Sequence, residues 1–423
     1  WESVLYASII TVVYSSLGGL RGVLFTDFIQ FVIAMVGSVW AAIYIVNLPE
    51  VGGLQALLSH PNVNDKLAFL PDFNNTETLW MVFIIPLAVQ WWSVWYPGAE
   101  PGGGGYIAQR MLAAKNESHA LKATLFFNIA HYAIRPWPWI LIALASLVVF
   151  PDLTAITRTF PNATSGHDLG YPAMLTYLPA GLMGIIVASL LSAFMSTLST
   201  HLNWGASYLA IDFYKRFVKP KASDKQVVTV GKLSTALLML CAGGMALLLE
   251  SALSTFSILL QIGAGTGLIF ILRWFWWRIN AYSEISGMLI SFLVALYFEF
   301  SENSLQPHEK LLWGVGITTL GWFLVTLLTR PTSLNVLQQF YDKIRPYGFG
   351  WKKIAQQSTQ STIPKSSLTI DIASMLLGIV IVYTALFGTG YLLYNKFIEA
   401  GVLGFICILS VFSLIRIRRS KQH

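Results

Sequence analysis

Apolar and polar residues follow one another in long blocks along this chain. Each of the longer apolar blocks is near the length of about 20 residues at which a helix crosses the hydrocarbon of a bilayer. The pattern therefore predicts a membrane-spanning helix for each block. We predict an all-α polytopic membrane protein with about eleven transmembrane helices, at 2–15, 23–47, 77–96, 122–149, 178–211, 227–249, 253–274, 283–300, 309–329, 369–395 and 399–416.

The composition supports this class of protein. Hydrophobic residues make up 55% of the chain and charged residues 11%, which is far from the average of soluble proteins. The two cysteines, Cys241 and Cys407, fall inside apolar spans and have neither the spacing of a disulfide framework nor that of a metal site.

The formal charge of +7 is distributed unevenly between the two sides of the predicted membrane. All but five of the 27 lysines and arginines fall on one side, because Lys66, Arg158, Lys310 and Lys396 lie on the other and Arg135 lies within a span. An excess of basic residues marks the cytoplasmic side. We therefore expect a multi-pass protein of the cell membrane with a cytoplasmic C-terminus and, since the charge reports topology, no nucleic-acid partner.

One apolar stretch, residues 181–217, carries a stripe of small polar side chains. Helical spacing places these residues on one face: Ser192, Ser196, Ser199, Asn203 and Ser207. Such a face is typical of close packing between membrane helices. Hydroxyls beside a backbone carbonyl are also suitable ligands for a hard cation such as Na⁺. The periodicity alone leaves both interpretations open.

Three motifs give the chain a resemblance to a known family. They are S-A-F-M-S-T-L-S-T-H-L-N followed by D-F-Y-K (192–203 and 212–215), Y-S-S-L-G-G-L-R-G-V-L-F-T-D-F-I-Q (14–30) and Q-R-M-L-A-A-K (109–115). Taken in their order along the chain, these motifs resemble the sodium/solute symporter family. The resemblance implies a LeuT-like inverted-repeat core and Na⁺-driven import of a small organic solute by alternating access.

The resemblance also implies how the chain divides. Trp1 already lies inside an apolar span, and counting back from the motifs implies that a leading helix and the first three core helices precede it. Residues 1–280 then correspond to an N-terminally truncated symporter core with core helices four to ten. Residues 281–423 correspond to C-terminal accessory helices, with a cytoplasmic loop at 330–368 that we interpret as a linker.

The family's ion site falls on the stretch with the polar stripe. The resemblance implies that Na⁺ is bound by the carbonyl of Ala193 and the hydroxyls of Ser196 and Thr197. Asp27, at the predicted start of the second span, belongs to the motif that the family associates with the inward ion path. Its carboxylate is also placed to cap the helix N-terminus.

The third span ends in a dense group of aromatic and polar residues before a run of prolines and glycines. Broken helices of this kind line substrate cavities in transporters, and aromatic faces suit sugar rings or other flat surfaces. The candidates for substrate binding here are Gln90, Trp91, Trp92, Ser93 and Trp95. An interfacial aromatic belt is the alternative, and the Glu-Pro-Gly-rich insertion at 100–105 departs from the family pattern.

Three further polar residues within spans are candidates for substrate binding. His131 and Arg135 are four residues apart, which predicts a shared helix face, and ionisable residues inside a membrane are functional candidates. A hydrogen bond from His131 to a carbonyl and snorkelling of Arg135 are the alternative. Gln261 begins a stretch whose glycines indicate either a hinge or close packing.

We therefore expect a Na⁺-coupled symporter whose ligands are Na⁺, a small solute and the surrounding lipid. A transport-inactive sensor or signalling module of the same fold and an H⁺-coupled transporter are the alternatives. The spans contain no acid pair, Ser/His/Asp set or His/Cys cluster, so we do not expect an enzyme.

Overall fold

The structure, a computed structural model, describes residues 6, 9–11, 20–89, 92, 105–163, 166–246, 262–263, 265–301, 304–346, 349–357 and 368–420. The regular structure of these residues is helical, apart from an isolated bridge between Trp276 and Gly350. Up to residue 175 the helices are α1 (Leu20–Val46), α2 (Leu54–Ser59), α3 (Pro61–Asn64), α4 (Thr76–Leu79), α5 (Ile85–Ala88), α6 (Gly105–Leu112), α7 (Glu117–Asn128), α8 (Pro136–Val149), α9 (Leu153–Thr159) and α10 (Gly170–Leu175).

The remaining helices follow, and most of them are longer. They are α11 (Ala180–Ser207), α12 (Asp224–Ala246), α13 (Ala281–Phe300), α14 (Pro307–Leu328), α15 (Leu334–Ile344), α16 (Lys352–Ala355), α17 (Leu368–Leu393) and α18 (Phe397–Ser420). Residues 265–272 are also helical. Wider π-helical turns occur at Trp80–Ile84, Ile129–Ile134 and Tyr208–Val218, and a 3₁₀ turn at His167–Leu169.

Eight helical segments within the described residues are long and apolar enough to cross a membrane. They confirm eight of the eleven predicted spans. The other three, 2–15, 77–96 and 253–274, lie partly outside the described residues, and their described parts are mostly helical. The chain is an all-α, multi-pass membrane protein.

The first of two compact units combines Trp1–Leu67 with Arg135–Ala252. In it α1 packs against α8 and α11, with Ile45, Ile142 and Ile186 fully buried between the helices. The close approach depends on Gly37, where a Cβ would lie 3.1 Å from Cδ1 of Ile186. Gly205 has the same role toward α12. Small residues thus set the spacing of these helices, as is usual in membranes.

Two of the segments that connect the spans of this unit, one after α1 and one after α8, fold onto its core. Leu57 of α2 and Met174 of α10 are fully buried in the same apolar cluster as α1, α8 and α11. Nδ2 of Asn62 donates a hydrogen bond to the carbonyl of Leu147 at 3.2 Å. The chain reverses after α1 through Gly52 and Gly53, whose φ angles of 75° and 94° suit glycine. This packing is that of capping loops.

The second unit combines Ala68–Ile134 with Leu253–His423. Its spans form two helical hairpins, α13 with α14 and α17 with α18. Helical residues 265–272 fit closely against the first hairpin, because Gly265 faces Thr318 and Gly287 faces Ile269. Phe69 packs among aromatic rings at the end of α17. The centroid of its ring lies 4.7 Å from that of the Tyr391 ring. The predicted functional division at residue 280 stays a prediction.

The loop predicted at 330–368 is more than a linker. It contains the amphipathic helix α15 and the short α16, and Leu337, Trp351 and Ile354 form a small buried cluster there. Interpreting the loop as a simple linker was wrong for residues 334–357. Its apolar residues are few and dispersed, and they become a core only when brought together with Trp277.

Candidate functional site

The predicted Na⁺ ligands lie on α11, the longest helix of the first unit. This helix begins after Pro179 and continues beyond Ser207 as the π-helical turn Tyr208–Val218. Proline has no backbone N–H. Its place just before the first turn costs the helix no hydrogen bond, because the first N–H groups of a helix have no acceptor within it. The buried positions of α11 include Ile186, near α1, and Ser199 and Leu202 in its second half.

The polar stripe of α11 is at least partly covered along its length. Ser199 is fully buried, whereas Ser192, Ser196, Asn203 and Ser207 are half-buried. The hydroxyl of Ser207 donates to the carbonyl of Trp204 at 2.7 Å, within its own helix. These observations agree with the shared face that the spacing predicts.

Ala193 and Thr197 form the open shoulder of this stripe. Both are exposed, and Ser196 beside them is half-buried. Thr197 follows Ala193 by four residues in an α-helix, so the two residues lie one above the other on the same face. Ala193, Ser196 and Thr197 thus share one short arc of the helix. Na⁺ binding by Ala193, Ser196 and Thr197 stays a prediction.

Asp27 does not cap a helix N-terminus. The helix α1 begins at Leu20, so Asp27 lies about two turns inside it. Only the first four N–H groups of a helix need a capping acceptor. The capping interpretation was therefore wrong, because the helix already includes Leu20 and so begins before the predicted span at 23–47. The side chain of Asp27 lies outside the described residues, and its part in an ion path stays a prediction.

The aromatic group after the third span is described only in part. Gln90, Trp91, Ser93 and Trp95 lie outside the described residues, whereas Trp92 is half-buried. Helix α5, with Pro86 in its first turn, ends at Ala88, so the continuous helix stops before this group.

Trp92 lies against the helical residues 265–272. Its backbone carbonyl occupies the place that a Cβ on Gly267 would take. A Cβ on Gly265 would similarly lie 2.5 Å from Cγ2 of Thr318. These contacts favour close packing over a hinge as the reason for the glycines. Gln261, at the start of this stretch, lies outside the described residues.

His131 lies in the π-helical turn Ile129–Ile134 of the second unit. Its ring stacks on Phe127, with centroids 5.0 Å apart, and meets Tyr132 edge-on at 4.6 Å. A role of His131 in substrate binding stays a prediction.

Arg135 follows this turn in the sequence. It is the first residue of Arg135–Ala252, the second segment of the first unit. Its guanidinium lies over the ring of Trp139, 4.5 Å from the centroid, which partly compensates the charge. The prediction that His131 and Arg135 share a helix face and bind substrate stays a prediction.

The sequence analysis did not predict the π-helical turns. One of them precedes a group of candidate residues and another contains a candidate residue. Trp80–Ile84 comes before the aromatic group of the third span, and Ile129–Ile134 contains His131. Each is followed within two residues by a proline, Pro86 or Pro136. Proline removes a donor and clashes with the preceding turn, so the turn before it widens. That proline spacing is a signal that was present in the sequence. Such π-turns are frequent at functional sites.

Several known proteins are similar in sequence to this chain. The chain is 26% identical over 352 residues to a sodium/glucose cotransporter of Vibrio parahaemolyticus, covering 79% of the chain and 63% of that protein. It is 27% identical over 345 residues to the sodium/myo-inositol cotransporter 2 of Homo sapiens, covering 71% and 48%. The chain thus spans less than two thirds of the length of these curated relatives.

A solved structure and a family profile also match. The structure is described as a substrate-bound, outward-open state of a Na⁺-coupled sialic acid symporter, with a TM-score of 0.44 and 20% identity over 77% of this chain and 66% of that one. The profile of the sodium:solute symporter family matches residues 1–291, which include α11 and both π-helical turns of the candidate site. Because this match covers well over half of its residues, the chain belongs to the sodium:solute symporter family.

Proposed function

We propose that this chain carries the ion-binding half of a Na⁺-coupled symporter, which imports a small polyhydroxylated solute by alternating access. The observation that supports this proposal is the shoulder of α11. A membrane-spanning helix of this sodium:solute symporter family member places exposed Ala193 and Thr197 and half-buried Ser196 on one arc, and their carbonyl and two hydroxyls are the proposed Na⁺ ligands.

The oxygens of this arc suit Na⁺ because they are neutral. A hard cation is coordinated by carbonyl and hydroxyl oxygens, and neutral ligands hold it without the strong attraction of a buried carboxylate. A site that must release its ion on every cycle benefits from such moderate affinity. In this proposal Asp27 lies on the path by which the ion leaves toward the cytoplasm, which is the side where most basic residues fall.

The proposed solute class comes from the relatives and from the aromatic residues. Two relatives are named for transport of glucose and of myo-inositol, both of which are cyclic polyols. Apolar ring faces stack on tryptophan, while hydroxyls need hydrogen-bonding partners. The residues proposed to contact the solute are Gln90, Trp91, Trp92, Ser93, Trp95, His131, Arg135 and Gln261.

The test measures uptake of labelled myo-inositol and glucose against Na⁺ concentration, using the protein as its gene encodes it. Ser196→Ala and Thr197→Ala should each raise the Na⁺ concentration for half-maximal uptake by about 5- to 150-fold, since one neutral ligand of several is lost. Thr197→Ser keeps the oxygen and should have a mild effect. Ser207→Ala is the matched control, because that hydroxyl is bonded inside its own helix.

The outcomes separate the proposal from its alternatives. Unchanged Na⁺ dependence in both alanine variants would show that the stripe of α11 serves packing alone. Uptake driven by a pH gradient without Na⁺ would favour H⁺ coupling. Solute binding without any uptake would favour a sensor. Uptake of an amino acid in preference to both polyols would refute the proposed solute class while leaving the ion site intact.

A further inference from the structure

Two connecting segments of the second unit come together at one end of the α13–α14 hairpin. Residues 273–280 precede α13 and residues 334–357 follow α14, so both lie on the same side of the predicted membrane. We call these two segments the aromatic cap. They are joined by the bridge between Trp276 and Gly350, and the Nζ of Lys353 lies 5.4 Å from the centre of the Trp277 ring.

The aromatic cap has an apolar core of its own. Leu337, Trp351 and Ile354 are buried, with Trp277 and Phe340 among the residues packed against them. This core uses the inner face of α15 and part of α16. It therefore fixes which face of α15 points outward.

Contacts with α14 place the cap at the membrane boundary. One guanidinium nitrogen of Arg278 donates to the carbonyls of Leu327 at 2.9 Å and Thr329 at 3.0 Å, which are at the end of this span. The ring of Trp276 lies 5.8 Å from that of Phe323, about one turn further in. The cap is therefore at the level where hydrocarbon gives way to headgroups.

The outer surface of the cap is apolar and basic at once. Its exposed apolar side chains are Leu334, Val336, Ile344 and Phe349, with 47%, 53%, 47% and 85% exposed. Its exposed basic residues are Lys343, Lys352 and Lys353, and Arg330 lies just before α15. Within the described residues 329–357 the acidic residue is Asp342. Soluble surfaces seldom combine exposed apolar side chains with such a charge excess.

We propose that this outer surface docks on the adjacent membrane leaflet and binds the phosphates of anionic lipid headgroups. An amphipathic helix with basic residues beside exposed apolar ones lies in the interface with its apolar side chains among the acyl chains. The basic excess marks this side as cytoplasmic, and anionic lipids are concentrated in the cytoplasmic leaflet. The charge of the cap and that of the leaflet are thus complementary, which distinguishes this occupant from a protein partner.

The test uses the purified 423-residue chain in lipid nanodiscs of phosphatidylcholine, with and without phosphatidylglycerol. Val336→Cys, in a Cys241→Ala and Cys407→Ala background, carries a polarity-sensitive dye at an exposed position of α15. We expect blue-shifted emission and protection from an aqueous quencher when phosphatidylglycerol is present. The effect should weaken as salt is added, because screening shortens the range of the attraction.

Charge variants give the quantitative test. A triple variant with Lys343→Gln, Lys352→Gln and Lys353→Gln should lower the ratio of docked to undocked cap by about 5-fold for each lysine and about 100-fold in total. A second variant, Arg330→Gln with Lys343→Gln, leaves the lysine–ring contacts of the cap intact and should lower it by about 25-fold. The control with the same charge change as the triple variant is Lys66→Gln, Lys310→Gln and Lys396→Gln, which should have no effect.

Three results would overturn the proposal. Equal emission in both lipid compositions would show that anionic headgroups are not bound. Full docking of the triple variant would show that the lysines do not contribute. A dye response that requires added cytosolic protein would show that the surface binds a protein instead.

Discussion

Asn280 connects the aromatic cap to the α13–α14 hairpin, and its replacement tests how that connection is stabilised. Its side-chain carbonyl accepts a hydrogen bond from the backbone N–H of Ser283 at 3.0 Å and so caps α13. Its amide nitrogen donates to Oγ1 of Thr329 at 3.1 Å and to the carbonyl of Arg330 at 3.3 Å. The residue is buried, so water cannot replace these partners in a variant.

The magnitudes follow from these two roles. Loss of an N-cap costs about 1 kcal/mol, and each of two neutral hydrogen bonds contributes about 1 kcal/mol. Asn280→Ala should therefore lower the free energy of unfolding by about 2–4 kcal/mol. Asn280→Ser keeps a capping hydroxyl and loses the two bonds to the end of α14, so about 1–3 kcal/mol should be lost.

The assay is thermal unfolding of the purified chain in detergent, followed by tryptophan fluorescence. The expected order of melting temperatures is wild type, then Asn280→Ser, then Asn280→Ala. Asn335→Ala is the matched control on an exposed position of α15 and should change little. A serine variant as stable as the wild type would refute the reasoning, because the amide bonds to Thr329 and Arg330 would then contribute nothing.

Three further predictions concern packing, pH and topology. Gly265→Ala should prevent correct folding, because its Cβ would clash with Thr318. Gly316→Ala is the control, because its Cβ meets open space and should be tolerated. Size-exclusion profiles of the two variants test this difference. Asp152 is the N-cap of α9, and hydrogen bonds from the Thr154 hydroxyl and then the Ala155 N–H lower the pKa of its carboxyl group. The ionised cap therefore stabilises α9 fully above the ordinary aspartate pKa. This stabilisation is lost as pH falls through the lowered pKa. The rate at which pepsin cuts α9 in the wild type, divided by the rate in Asp152→Asn at the same pH, should therefore rise as the medium is acidified. A single cysteine in the loop 212–226 should resist impermeant thiol reagents added outside intact cells, and labelling there would overturn the orientation.

Hydropathy alone determined the class of this protein. Runs of apolar residues long enough to cross a bilayer predicted the spans, and eight of eleven are confirmed within the described residues. This works because a lipid environment requires the residues of a span to be predominantly apolar and every backbone group to be bonded within its own helix. The three motifs likewise indicated the family before any geometry was known, and the family profile confirms it.

The tertiary structure decided the features that depend on neighbours distant in sequence. Trp351 and Leu337 form a core only because the chain returns to Trp277, so a basic loop that looks like a linker is partly folded. Local turn geometry also changed the candidate site, since His131 lies in a π-helical turn and an earlier helix start removes Asp27 from the N-terminus. Hydropathy sums the preferences of single residues. The packing of pairs and the choice between α- and π-turns depend on contacts that such a sum does not contain.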